Sequence, residues 1–472
     1  MMDDDLGAAS KLNTHGDFFP PRTEGEQGTR SSGSCPGLCS EMCLLEYDDY
    51  FIIEPADGKD YPLLVISRSE GNLQLLDVMP QLDGQQLLRS CTIYGVLGVL
   101  NLLAGSYVLV VTERMHAGTY KEKAVYLVQS MQFLFCNSSL GRLTPQEKRD
   151  EAHFVSLLRT IERTSGLFFS YDTDLTLSLQ RANSFIEVRR SQPLWKQADP
   201  RFLWNHYILE DLIENKLEPY ILPIIQGSFQ EIQLPVREHH LNIVLIARRC
   251  NRRMGTRMWR RGADREGYAA NFVETEQIIK TNYYVASYVQ VRGSIPVLWE
   301  QIVDLTYKPQ PRLVHVDQTA NVVKRHFHDL KQRYGTILVV DLVNQEGSEE
   351  ILSLAFGNAM QDLLNENVRY IPFDFHKICG HIHFERLSLL YDQIKEYCNL
   401  QGFFLAKSHD LVQNQKGIVR VNCVDCLDRT NITQSLLGRK AMETILQSIH
   451  VFEEGELISD NKYFEHLFKA YN

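Results

Sequence analysis

At 472 residues, 44% of them hydrophobic and 10% aromatic, the chain can bury the cores of two or three lobes, and its composition is neither fibrous nor disordered. A formal net charge of -10 excludes a nucleic-acid binder that works through bulk positive charge, while leaving room for a local basic patch. No apolar run is long enough to cross a bilayer. No basic leader with an apolar core opens the chain, and ten scattered cysteines fit free thiols in a reducing, cytoplasmic setting.

Residues 1–44 are rich in Gly, Ser, Pro and Asp and read as a disordered tail. Cys35, Cys39 and Cys43 fall in it at four-residue spacing. With His15 as the nearby histidine they lack the two close pairs of a zinc knuckle, so solvated thiols are expected.

From residue 45 the pattern turns to short strands: "YDDYFIIEP", "YPLLVISR", "NLQLLDV", "GVLGVLNLLAGSYVLVVTE" and "EKAVYLVQSMQFLF". Turn signals such as Asp57-Gly58 and Glu70-Gly71 divide them. Within this β-rich lobe, 45–175, the spacing of Phe154, Leu157, Leu158 and Ile161 predicts a helix over Pro145 to Thr164. Beyond it, strand patterns at 242–247, 336–343, 368–375 and 402–406 alternate with helical stretches "EEILSLAFGNAMQDLLNE" and "FERLSLLYDQIKEYC". Such alternation predicts an α/β lobe, 176–472, with a mostly parallel sheet.

The segment Gly417 to Lys440, "GIVRVNCVDCLDRTNITQSLLGRK", carries the chemistry. A buried strand is expected up to Val421, and a helix from Asn431 ending near Gly438-Arg439-Lys440. Between them Cys423 and Arg429 stand six positions apart, a C-x5-R phosphate loop. Five intervening residues can turn their amides toward one phosphate, helped by the helix N-terminus that follows. The backbone of Val424, Cys426 and Leu427, with Thr430 and Asn431, would line that cradle. Arg429 offers a planar fork to two phosphate oxygens, and the same field favours Cys423 as thiolate. Asp425 and Asp428 are both candidates for the acid that protonates the leaving group and the base that follows. The C-x-x-C formed by Cys423 and Cys426 also suits a redox or metal site, but a redox motif does not explain the adjoining Asp, Arg and Thr, and a zinc site would need a second ligand pair.

The run "RVNCVDCLDRTN" resembles the signature of the Sac-domain phosphoinositide phosphatases, R-x-N-C-x-D-C-L-D-R-T-N. In family order, "DPRFLWN" (199–205), "GYAANFVETEQII" (267–279), "VQVRGSIPVLWEQ" (289–301), "RHFHDLKQRYG" (325–335), "NQEGSE" (344–349) and "FDFH" (373–376) resemble family blocks too. The resemblance covers about 45 to 472 and points to the endoplasmic-reticulum and Golgi subgroup of plant type. It implies a β-rich N-terminal lobe packed on an α/β catalytic lobe. It makes Cys423 the nucleophile, Arg429 the phosphate-binding arginine, and Asp425 and Asp428 carboxylates required for turnover, with no metal or organic cofactor. The implied substrates are phosphatidylinositol monophosphates, the 4-phosphate first, then the 3-phosphate or 3,5-bisphosphate, at anionic membrane surfaces. The chain is expected to lie peripherally on endoplasmic-reticulum or Golgi membranes. Family members continue beyond the point where this sequence stops, 43 residues after Arg429. A shortened catalytic lobe without the subgroup's two membrane helices is therefore expected, and with it the alternative of an impaired phosphoinositide binder; a protein phosphatase is a further alternative.

Three supporting features remain. Residues 247–265 hold eight arginines, 248, 249, 252, 253, 257, 260, 261 and 265. Some are expected to face anionic lipid, each worth about 1 kcal/mol there, with Arg257 and Arg261 as candidate substrate contacts. Others are expected to pair internally, for instance with Asp264 and Glu266. Glu274 or Glu276 is a candidate to orient Arg429 or another arginine, with ordinary salt bridging as the plainer reading. His376, His381 and His383 lie close together, yet their spacing fits structural histidines better than a metal site.

Overall fold

The computed structural model describes residues 37–82, 84–136, 140–184, 191–255, 261–302, 309–380, 382–408, 410–424, 428–460 and 464. Of the stretch read as tail, residues 37–44 belong to the fold. Leu38 and Cys39 are buried, and β1 (Met42–Glu46) opens the first sheet. Burial pushes the Cys39 thiol up to about 12, and Cys43 packs its sulfur 3.3 Å from Ser90 Oγ, so these two are not solvated tail thiols. Cys35 lies outside the described residues.

Strands β2 (Tyr50–Pro55), β3 (Leu63–Ser67), β4 (Leu73–Leu76) and β5 (Arg89–Ile93) complete an antiparallel sheet in the order β4-β3-β2-β1-β5. Alternate residues Met42 and Leu44, Phe51 and Ile53, and Leu64 and Ile66 point one way into a core shared with Val96, Val108 and Val110, the period-two pattern of a half-covered sheet.

A second sheet runs through most of the remaining chain. Its strands are β6 (Gly95–Asn101), β7 (Ser106–Tyr120), β8 (Lys123–Cys136), β9 (Leu167–Phe169), β10 (Ile225–Val236), β11 (His239–Arg249), β12 (Val273–Lys280) and β13 (Tyr284–Ser294). A short pair, β14 (Trp299–Gln301) and β15 (Pro311–Leu313), stands apart; then β16 (Thr336–Asp341), β17 (Val368–Pro372), β18 (Phe404–Lys407), β19 (Asp410–Gln413) and β20 (Gly417–Cys423) follow. The order is β17-β16-β20-β13-β12-β11-β10-β9-β8-β7-β6, with β18 on β13 and β19 on β18.

The expectation of a mostly parallel sheet is corrected here. Among the described strands, parallel pairing joins β17 to β16, β16 to β20, and β20 to β13. From β13 to β6 the neighbours pair antiparallel, and β18, read from sequence as one more parallel strand, pairs antiparallel with β13. Long strands joined by tight turns, such as β10 to β11 across Arg237 and Glu238, return directly and leave no room for a crossover helix. The parallel part keeps the continuous apolar sequence of strands covered on both faces, with every residue of β20 and all but the first of β16 buried.

Its helical cover is α3 (Thr319–Tyr334) and α4 (Glu350–Gln361) on one face, packing Val323, Phe327, Leu352 and Phe356 against Ile337, Val339 and Ile418. On the other face Leu390 and Ile394 of α6 (Leu387–Gln401) and Leu437 of α7 (Asp428–Ser448) meet Val340, Val419 and Val421. In the other lobe α1 (Pro145–Ile161) begins with a capping box between Thr144 and Glu147; α2 (Leu179–Asn183) and α5 (Phe375–Cys379) are single turns. Helix α7 runs past the Gly438-Arg439-Lys440 stop expected from sequence. Gly438 is buried, its carbonyl accepts Gln277 Nε2 at 3.2 Å, and Met442, Ile445 and Leu446 beyond it fill a core with Ile279 and Leu405.

Candidate active site

Cys423 is the last residue of β20. The register sets it beside Ser294 of β13, and sets Asn422 beside Asp341 of β16. It therefore stands at the carboxyl end of three parallel strands, the edge where sheets of this kind hold their ligands. The side chain is buried at 1% exposure.

The base of the loop is tied down from three directions. Leu342 N–H donates to Asn422 O at 2.9 Å and Ile295 N–H to Cys423 O at 3.2 Å. Arg261 Nη1 donates to Val424 O at 3.1 Å, and Ser294 Oγ lies 3.5 Å from that carbonyl while accepting Gly262 N–H at 3.1 Å. Gly262 has φ +62°, and a Cβ there would meet Val297 O at 2.4 Å, so the approach of this segment requires glycine. Arg261, a candidate substrate contact from sequence, is thus buried against the backbone that leaves Cys423. Asp425, Cys426 and Leu427 lie outside the described residues. The flanks place Val424 buried, Asp428 exposed in the first turn of α7, Thr430 buried and Asn431 exposed.

Arg429 projects from the first turn of α7 to the loop after β16. Its Nη1 donates to Leu342 O at 3.0 Å and lies 3.4 Å from Asn344 Oδ1, and a bidentate pair joins it to Glu349. Burial pushes the Glu349 carboxyl up, but the guanidinium, the Asn344 amide and the nearby His376 together hold it below its ordinary value. The Arg429–Glu349 pair is part-buried, which makes it stronger than an exposed pair. Glu274 and Glu276, candidates to orient Arg429 or another arginine, are found on another arginine, Arg248. Both are fully buried around Arg248, at 3.0 Å from Nη1 and 2.7 Å from Nη2, and Arg248 also donates to Leu175 O and Leu177 O. This network binds the 175–177 segment to β12.

Beneath the site, Asp341 accepts from Asn422 Nδ2, from Tyr370 Oη at 3.0 Å and from Val343 N–H at 3.2 Å. Burial outweighs these donors and raises its carboxyl to about 7. Arg420, also fully buried, donates to Ser294 O at 2.9 Å, to Gly293 O and Val421 O, and through Nε to His326 Nε2 at 3.1 Å. His326 Nδ1 in turn donates to Gly267 O at 2.8 Å, and burial with the Arg420 charge pushes its pKa down to about 3. It is a neutral relay between two backbone segments.

Of the six described arginines of the arginine-rich stretch, Arg248, Arg249, Arg253 and Arg261 bond inward and Arg252 and Arg265 are exposed. Arg249 donates to Gly255 O and Arg253 to Arg261 O; Arg252 stacks on Tyr268, and Arg265 is exposed. Its buried carboxylate partners are Glu274 and Glu276; Asp264 instead accepts the Tyr268 amide. Arg257, Arg260 and His381 lie outside the described residues. His383 pairs with Glu385 at 3.0 Å, and no three His, Cys, Asp or Glu side chains gather as a metal site among the described residues.

A residue of the candidate site that sequence reasoning did not single out is Glu349, noticed only inside a block resembling the family. The available signal was a carboxylate closing a polar loop directly after the apolar run 336–343.

Residues 94–380 match the model of the SacI homology domain. The chain is 48% identical over 433 residues to the Arabidopsis thaliana protein named Phosphoinositide phosphatase SAC7, covering 92% of this chain and 72% of that one. It is 37% identical over 421 residues to Danio rerio Phosphatidylinositol-3-phosphatase SAC1-B, covering 89% and 71%. To Saccharomyces cerevisiae Phosphatidylinositol-3-phosphatase SAC1 it is 33% identical over 387 residues, covering 78% and 60%.

Proposed function

The chain belongs to the SacI homology domain family, and from that membership we propose that it is a phosphoric monoester hydrolase acting on phosphoinositides, with Cys423 as nucleophile. The observation that carries this reading is Cys423 at the carboxyl edge of the parallel strands, with Arg429 clamped by Glu349 six positions on.

The Cys423 thiolate attacks phosphorus in line; the S–P bond forms as the bond to the inositol oxygen breaks, and that oxygen takes a proton from Asp425 or Asp428. Water then attacks phosphorus, giving its proton to the same carboxylate, and the S–P bond breaks to release inorganic phosphate and the thiolate. Arg429, the loop amides of Val424, Cys426 and Leu427, and Thr430 and Asn431 hold the non-bridging oxygens, whose charge they balance throughout. Arg261 acts by holding the Val424 carbonyl, and Arg257 is assigned to the headgroup. The preferred substrate is phosphatidylinositol 4-phosphate, followed by the 3-phosphate named for the zebrafish and yeast relatives and by the 3,5-bisphosphate. In this reading residues 45–175 are the supporting lobe, 176–472 the catalytic lobe, and the protein works at the surface of endoplasmic-reticulum or Golgi membranes. No helix among the described residues is long and apolar enough to cross a membrane.

Phosphate release from vesicles carrying each phosphoinositide, run beside phosphotyrosyl and phosphoseryl peptides, tests the substrate class. Release from a monophosphorylated lipid and not from peptides is expected; the reverse preference overturns the reading.

A further inference from the structure

If the substrate is a membrane lipid, the mouth of the site must come within a headgroup's length of the bilayer, and the surface around that mouth must tolerate it. The arginine-rich stretch is a poor candidate for that surface, since most of its described guanidinium groups are turned inward. The opposite rim is built differently.

Directly after β17, Asp374 caps α5 by accepting Lys377 N–H at 3.0 Å and reaches across to Gln345 N–H at 2.9 Å, in the loop that holds Arg429. Lys377 pairs with Glu346 of that same loop, and the charge of His376 acts on Glu349. Asp374 and Lys377 therefore adjoin the loop that carries Glu349 and holds Arg429. The first turn of α6 lies at this same end. Its far end is fixed by Gln401, which donates to Thr336 O and Ile418 O at the amino ends of β16 and β20.

On this rim three large apolar side chains face outward among the exposed polar ones. Ile382 is 75% exposed, Leu389 53% and Phe384 39%, with the Phe384 ring only tilted against Phe375 at 6.2 Å. Exposed Lys377 and Arg386 fringe them, and the nearby carboxylates Glu346 and Glu385 are taken up by Lys377 and His383. Apolar tips inside a fringe whose formal charges balance, Lys377 and Arg386 against Glu346 and Glu385, at the entrance to a site for a lipid headgroup, have the chemistry of an interfacial anchor. Buried in the headgroup region, they would contribute hydrophobic transfer energy and hold the catalytic edge against the membrane.

We propose that Ile382, Phe384 and Leu389 form a bilayer-docking rim that inserts into the interfacial region of the substrate membrane and presents the Cys423 edge to it. This inference rests on the lipid-phosphatase reading.

The test compares the unaltered 472-residue protein with Ile382→Asp and with Ile382→Asp/Phe384→Asp on two forms of one substrate: phosphatidylcholine vesicles carrying phosphatidylinositol 4-phosphate, and the monomeric short-chain lipid in solution. Each variant should lose about tenfold or more of its vesicle turnover while keeping its rate on the soluble lipid. Leu400→Asp, at a 73% exposed position on the far end of α6, should change neither. Equal losses on both substrates, no loss on vesicles, or the same loss from Leu400→Asp would overturn the docking rim. If the unaltered protein hydrolyses neither substrate, the lipid-phosphatase reading fails. Co-sedimentation with phosphatidylserine vesicles then decides docking by itself: a bound fraction lowered by Ile382→Asp supports it, and an unchanged fraction overturns it.

Discussion

Glu349 holds Arg429 through two matched contacts, Nη1 to Oε2 at 2.9 Å and Nη2 to Oε1 at 2.8 Å. A guanidinium so gripped arrives at a phosphate already aimed, and its ordering cost is met by the fold. Glu349→Gln keeps the shape and removes the charge and one acceptor. The expected result is a fall in kcat of about 10- to 100-fold, with KM changed little and the unfolding midpoint lowered because Arg429 loses its part-buried charged partner. Glu346→Gln, whose partner is the exposed Lys377, serves as the comparison; a comparable loss there would contradict the assignment.

Asp341 makes stability depend on pH in one direction. Burial raises its folded pKa from 3.8 to about 7, so the folded state binds the proton more tightly than the unfolded chain. Its contribution is present below the unfolded value and is lost as pH rises through about 7. At about 1.4 kcal/mol per unit, Asp341→Asn should gain a few kcal/mol on the parent protein between about pH 4 and about pH 8. Urea unfolding across that range checks it; a constant gap between the two proteins would contradict it.

His326 acts with the opposite sign. Its folded pKa is pushed from 6.5 down to about 3 by burial and by Arg420, so below about pH 6.5 the unfolded chain takes up the proton first and stability falls with acid. Gln at 326 can accept from Arg420 and donate to Gly267 without titrating. The His326→Gln variant should show a flatter acid limb in the same titration, and an unchanged limb would place the acid sensitivity elsewhere.

The Arg248 network tests whether Glu276 is scaffold. Glu276→Gln breaks one half of a fully buried pair, which should cost about 3–5 kcal/mol in urea unfolding. At low temperature, where the variant stays folded, kcat and KM should match those of the parent. A selective loss of kcat at unchanged stability would return Glu276 to the catalytic site.

What was legible in the sequence was local. The apolar runs at 50–55, 63–67, 336–341 and 417–423 sit where the structure has strands, because β-branched residues in such runs need burial on one or both faces. The helix from Pro145 followed from the spacing of Phe154, Leu157, Leu158 and Ile161, and ends at Ile161 rather than at the expected Thr164. Strand direction was less legible: "GFFLA" reads the same parallel or antiparallel, and only its pairing with Tyr284–Ser287 decides. The end of α7 was hidden because a glycine buried against β12 looks identical, in sequence, to a glycine that stops a helix. Cys423 and Arg429 were legible because their spacing carries a chemical purpose. Glu349 and Ser294 were not, since each acts through a partner more than 75 positions away.

The most direct measurement is acid quenching during turnover of phosphatidylinositol 4-phosphate labelled at the phosphate, followed by peptide mapping under conditions that preserve S–P bonds. The account predicts label on Cys423 in the parent protein. It predicts none in Cys423→Ser, which should still bind the vesicles while releasing no phosphate. Turnover by Cys423→Ser, or label on any other side chain, would contradict the assignment of Cys423 as nucleophile.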